Sequence, residues 1–158
     1  MVNPRLACLS WRLMHTTTPT EEWAKREGWS PPSRCHNYFS DEESNLHLFF
    51  SCPLAQKLWR WLLNFCAVRL PNPISASSIW YSLPKAGDAR NCAAAIFLNA
   101  IFILWQLRNE SKHSSREPSL ERAQAVLLDR LKGLNIYAIG RNSTPPTHPI
   151  LLAVRDIL

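Results

Sequence analysis

Cys35, His36, His47 and Cys52 fall within an 18-residue span, with His47 and Cys52 in the spacing H-x4-C. Thiolate and imidazole together are the donor set that zinc prefers. A closed tetrahedral site takes four protein ligands and commonly begins with a C-x2-C turn, which lets two sulfurs reach one ion. The residue three beyond Cys35 is Tyr38, so the expected ligands are Cys35, His47 and Cys52. His36 is a poor substitute for the fourth, because its position next to Cys35 demands a different backbone geometry. Three ligands with water in the fourth position is also the pattern of catalytic zinc. Glu42 and Glu43 read as solvated loop carboxylates rather than as a positioned base, so no catalysis is expected. The residues leave two readings open: a site that holds zinc, and one that has decayed with the loss of a ligand.

Positioning these residues falls to helices. Apolar residues recur at helical spacing in five segments, 4–15, 19–27, 53–67, 89–110 and 119–136, around a loop at 33–52. Thr18 with Glu21 has the form of a capping box, Gly28 suits the end of the second segment, and Pro53 suits the first turn of the third. Asp88 and Ser119 are N-cap candidates for the last two. Leu54, Leu58, Trp61, Leu62 and Phe65 mark the apolar stripe of the third segment, and Pro71 and Pro73 are its stop signals. Arg108, Asn109 and Glu110 mark the polar end of the fourth. No alternation of the strand type persists, so the predicted class is all-α, a small helical domain with a loop-rich, zinc-knuckle-like insert. The expected organisation is a module at 1–67, a Pro/Ser-rich linker at 68–87, a helical hairpin at 88–138 packing on the module, and a disordered tail at 139–158.

Pro4, Arg5, Trp11, Pro19, Thr20, Cys35, Glu43, His47, Leu48, Phe49, Phe50, Cys52, Pro53 and Trp59 together resemble the zinc-binding domain found downstream of reverse transcriptase in plant non-LTR retrotransposons and in stand-alone genes derived from them. The resemblance covers residues 4–65, and the run H-L-F-F-x-C-P is its most specific part. Trp105, Arg108 and Asn109 look like the W-x-x-R-N helix that often follows the domain. Tyr38 stands where the family carries its second cysteine, and Ser44 where it carries threonine. The resemblance implies zinc as cofactor and nucleic acid, RNA or single-stranded DNA, as partner. The sequence has no Tyr-x-Asp-Asp run and no ordered carboxylate set of the RNase H type, so a non-catalytic module is expected.

The 158 residues carry 18 basic against 12 acidic side chains, a formal net charge of +6 that favours anionic partners without forming a basic run. Arg26, Arg34, Lys57 and Arg60 are the candidate phosphate contacts, with Arg5, Arg12 and Lys25 beside them and a solvated helix surface as the simpler alternative. Five cysteines at irregular spacing argue against a secreted disulfide framework. Cys8, Cys66 and Cys92 lie among apolar residues and are expected in the core, as are Trp11, Trp59, Trp61 and Trp105. The first residues lack the pattern of a signal peptide, and the apolar run from Cys92 to Leu107 is the length of a buried core helix. An intracellular protein with neither a membrane nor a small-molecule substrate as partner is therefore expected.

Overall fold

A computed structural model describes residues 4–30, 34–39, 41–69 and 74–133. The expected tail at 139–158, Pro71, Pro73 and the end of the last helix beyond Gly133 lie outside them. Every regular element among the described residues is helical, so the protein is all-α. In chain order these are α1 (Pro4–Met14), α2 (Glu21–Arg26), one π-helical turn (His47–Ser51), α3 (Pro53–Phe65), α4 (Ala76–Ser82), α5 (Gly87–Ser114) and α6 (Leu120–Gly133).

α5 is the axis of the fold. It contributes Cys92, Ala93, Ile96, Phe97, Ala100, Ile103, Leu104 and Leu107 to the core. α1, α3, α6 and the π-turn all pack against it. Its segment Ala89–Ser114 is long and apolar enough to cross a membrane by length and composition, and half of its most apolar window is buried inside the protein. The expectation of a core helix rests on the shorter apolar run from Cys92 to Leu107, which Asn99 interrupts. Asn99, within that run, is buried with its amide nitrogen on the Ala95 carbonyl and its Oδ1 accepting from Arg130 Nε at 3.2 Å.

Local signals set most helix boundaries. Pro53 opens α3, and Ser119 Oγ accepts the Arg122 N–H at the start of α6. Gly28, at φ +85°, closes α2 in the left-handed conformation that a side chain resists. The cap of α2 is Thr20, whose hydroxyl accepts the Trp23 N–H, and not Thr18. Tertiary charge overrides the Thr18–Glu21 box, because Glu21 is drawn inward to Lys112 and Arg108.

Several expectations are corrected by packing. Residues 68–87 contain α4, with Ile74, Ile79 and Leu83 buried, so a stretch expected as linker is part of the core. α5 begins one residue ahead of Asp88 and continues to Ser114, because Arg108 is buried rather than solvated. On α3 the fully buried tryptophan is Trp59, while Trp61 is only packed against the core's edge. Cys8 and Trp11 are exposed, since α1 buries only Leu6 and Leu9.

Candidate metal centre

The H-L-F-F run needs an unusual backbone, because Leu48, Phe49 and Phe50 are all buried in succession. A π-helical turn provides it. Phe50 stacks on Trp59 of α3, Phe49 faces Trp105 of α5, and Trp59 donates its indole N–H to the Phe49 carbonyl at 2.7 Å. The wide turn also solves a problem of direction. Residues five apart on an α-helix point about 140° apart around the axis. Here the Cys52 N–H donates to the His47 carbonyl at 2.7 Å, and the two side chains come to one side. Ser44 starts the turn by accepting the His47 N–H on its hydroxyl at 3.0 Å, a bond the threonine it replaces would also make.

Cys35 arrives from the preceding loop. Its N–H donates to the Asp41 carbonyl and its own carbonyl accepts the Phe39 N–H, both at 2.7 Å, closing a tight knuckle. Phe39 sits at φ +59°, a conformation that costs a bulky residue on the order of 1 kcal/mol. α5 holds this knuckle down: Asn37 donates to the Leu104 carbonyl at 3.1 Å, and Ser111 Oγ donates to the His36 carbonyl at 2.7 Å.

The result is one cluster. The ligand atoms of Cys35, His47 and Cys52 all lie within 4.8 Å of one another, with both cysteines buried. The two sulfurs are 3.9 Å apart. Two thiolates each about 2.3 Å from a tetrahedral ion stand about 3.8 Å apart, so the spacing fits zinc. His47 Nε2 is buried with no hydrogen-bond partner, as a ligand nitrogen is, while Nδ1 lies 3.9 Å from Asp41 Oδ2. Asp41 thus lies on the Nδ1 side of the ring, beyond hydrogen-bond distance, where a small approach would let it orient a metal-bound imidazole.

The electrostatics favour anionic sulfur. The Cys35 thiol donates toward Cys52, and this contact first, then the N–H groups of Ala55 and Leu54 at the start of α3, brings the Cys52 pKa down to about 7 against the opposing effect of burial. The same contact, with burial, pushes Cys35 up. The pair therefore holds one proton readily and surrenders it to a cation.

His36 and Tyr38 are not part of the cluster. His36 Nε2 faces Glu21 Oε1 at 3.4 Å, and the Tyr38 side chain is half exposed. Arg26 bonds the Thr16 carbonyl, and Arg34, Lys57 and Arg60 are exposed on the loop and on the outer side of α3. No contact gathers these four into one patch.

A buried charge cluster behind the site overturns the expectation that Glu43 is a solvated loop carboxylate, because Arg108 draws it inward. Arg108 grips Glu43 through Nε at 3.1 and 3.0 Å and through its terminal nitrogen at 2.6 Å, with both residues buried. Glu43 also accepts the Glu21 N–H at 3.2 Å, at the start of α2. Lys112 reaches Glu21 at 2.5 Å, so two cations balance two carboxylates. Burial pushes Glu21 up, but Lys112, Arg108 and His36 outweigh it and hold the carboxyl below its usual value.

The comparisons agree with this geometry. Residues 1–59 match the family described as zinc-binding in reverse transcriptase. This segment is similar to that zinc-binding domain. It contains all three residues of the cluster and ends at Trp59, the centre of the aromatic stack. No curated protein and no solved structure matches the chain.

Proposed function

We propose that the chain is a zinc-holding, non-catalytic module derived from a retroelement reverse transcriptase, acting on RNA or single-stranded DNA inside the cell. The observation that carries this reading is the Cys35, His47, Cys52 cluster inside the segment similar to the zinc-binding domain, with a sulfur spacing suited to the ion and a buried imidazole nitrogen left for it. Zinc bound there would cross-link the knuckle, the π-turn and the start of α3, which is structural work. Glu43, a buried carboxylate in the same loop, is committed to Arg108, and this supports a site without a general base. All five cysteines are free, as suits a reducing compartment. The net charge of +6 supports an anionic partner.

Native mass spectrometry on protein purified without added metal tests the zinc reading. One zinc per chain, lost in the His47→Ala, Cys52→Ala double variant, is expected. Tyr38 at the family's second cysteine favours one competing reading, a decayed site. Absence of zinc from the parent protein, with a large gain in zinc affinity on Tyr38→Cys, would establish that reading instead. Filter binding to RNA and single-stranded DNA at two salt concentrations tests the nucleic-acid reading, which fails if no salt-sensitive binding is seen.

A further inference from the structure

α1 and α5 do not close fully on each other. Between them lies a cleft of about 710 Å³, lined by Arg5, Arg12, Phe102, Trp105, Asn109 and Arg130 among others. Arg5 and Arg12 are seven residues apart on α1, so they stand on one face about 10 Å apart. Arg130 enters from α6 with its guanidinium over the Phe102 ring, 4.4 Å from the centroid. The one acidic lining residue, Glu110, is already paired with Arg122 at 2.6 Å. Three arginines and two aromatic side chains thus line the cleft, with Arg130 over one face of Phe102 and Arg108 over one face of Trp105 at 4.9 Å, and the one carboxylate in the lining is committed to Arg122.

We propose that this cleft is the binding site for one or two nucleotides of a single-stranded nucleic acid, with Arg5 and Arg12 on phosphates and a base against the Phe102, Trp105 wall. Charge and ring chemistry identify the ligand class. Guanidinium groups bind phosphate with two parallel hydrogen bonds, and aromatic faces stack on any base. The volume lies in the range of sites that enclose a small planar ligand, about 300–1,000 Å³, and is too small for a duplex. The inference rests on the nucleic-acid reading above and assigns it a place. That place is not Arg26, Arg34, Lys57 and Arg60, none of which lines this cleft.

Cys8 supplies a built-in probe, since it lines the cleft and is the exposed cysteine of the five. Zinc-loaded protein is treated with iodoacetamide with and without an oligouridylate or oligothymidylate. Binding of the same oligonucleotide is then measured by fluorescence anisotropy over a range of salt. The expected results are protection of Cys8 by the oligonucleotide and at least a tenfold loss of affinity in Arg5→Glu, Arg12→Glu. The log–log salt slope should be shallower by about 1.4 in Arg5→Gln, Arg12→Gln, because two phosphates of a single strand are no longer neutralised. Both arginines are exposed, so zinc content and helicity should not change. If the parent protein binds but Cys8 stays reactive and the variants bind as well, the cleft assignment is overturned while the nucleic-acid reading survives. If the parent protein binds no oligonucleotide, both fall. Protection by poly-glutamate and not by oligonucleotide also overturns the assignment, in favour of an acidic protein partner.

Discussion

Two pairs of buried cysteines lie within this small core, and their chemistry diverges. Cys66 and Cys92 are enclosed by the apolar faces of α3 and α5, and burial pushes their thiols up to about 12 and about 11. Cys35 and Cys52 are equally inaccessible, yet Cys52 is brought down to about 7. Depth does not separate them. What differs is what donates to the sulfur: a thiol 3.9 Å away and the N–H groups at the start of α3, with an imidazole beside them, in one case, and no donor in the other, where burial comes first and Cys92 adds to the rise of Cys66. The same residue type is a small hydrophobe where packing surrounds it and a ligand where donors do.

The largest effect expected from breaking this contrast comes from removing one sulfur of each kind. Cys52→Ala should abolish zinc binding. The stabilisation lost with the ion reaches about 10–16 kcal/mol in four-ligand zinc peptides and is smaller with three protein ligands. Cys92→Ala should keep its zinc and cost about 1 kcal/mol, the loss of a little apolar volume. Zinc stoichiometry with thermal melts, with and without chelator, separates the two. Equal losses in both variants would erase the distinction.

The next effect concerns what holds the metal loop in place. Arg108 lies outside the matched segment 1–59, yet it grips Glu43 in the segment that joins Asp41 to the π-turn. Arg108→Met leaves Glu43 charged, buried and unpaired, and should cost about 3–5 kcal/mol. Adding Glu43→Gln should recover part of that loss, because the stranded charge is gone. Urea melts of the two single variants and the double variant form the cycle, and simple additivity would show that the pair is not coupled. Zinc affinity should fall in Arg108→Met alone, since the loop loses its anchor while the ligands remain.

This anchor marks the limit of what the sequence discloses. H-x4-C is legible because ligand types and spacing are local, and Pro53, Ser119 and Gly28 are legible because caps act within a turn. Glu43 and Arg108 are 65 residues apart, and each alone reads as a surface charge. Only α5, laid across the knuckle, makes them partners. The same override moves the α2 cap to Thr20, by drawing Glu21 to Lys112. Trp59 and Trp61 both suit an apolar stripe, and the choice between them depends on Phe50 and Phe97, which both pack on Trp59. α4 is only seven residues long, too short to be stable alone, so its existence depends on the core that Ile79 and Leu83 enter.

A smaller effect sharpens the account of the ligand cluster itself. Asp41 faces His47 Nδ1 from the side away from the orphaned Nε2 and is not among the residues whose ligand atoms lie within 4.8 Å of one another. It should therefore orient the imidazole rather than bind the ion. Asp41→Ala is expected to weaken zinc about 10- to 100-fold without changing the stoichiometry, and Asp41→Asn to weaken it less. Competition with a chromophoric chelator gives the affinity, and the absorption spectrum of the cobalt-substituted protein reports the donor set. An altered spectrum in Asp41→Asn would make Asp41 a ligand instead.

The gentlest test uses protons on the metal-free protein in a Cys8→Ser background, and it runs in opposite directions for Cys52 and for Cys66 and Cys92. Cys52 is depressed in the folded state, so its contribution to stability is complete above the unfolded thiol value of about 8.5 and is lost as pH falls through about 7. Cys66 and Cys92 are raised, so they have no influence below about pH 8.5. Above it the unfolded chain ionises first, and each thiol then costs about 1.4 kcal/mol per pH unit until its folded value near 11 or 12 is reached. Thiolate absorbance in the ultraviolet should show one step near pH 7 that Cys52→Ser removes, and stability measured by urea melts should decline between about pH 9 and 11. Cys92→Ala should make that decline shallower and leave the step untouched. A step that survived Cys52→Ser, or a decline indifferent to Cys92→Ala, would mean that the surroundings of the sulfurs do not divide the two pairs in this way.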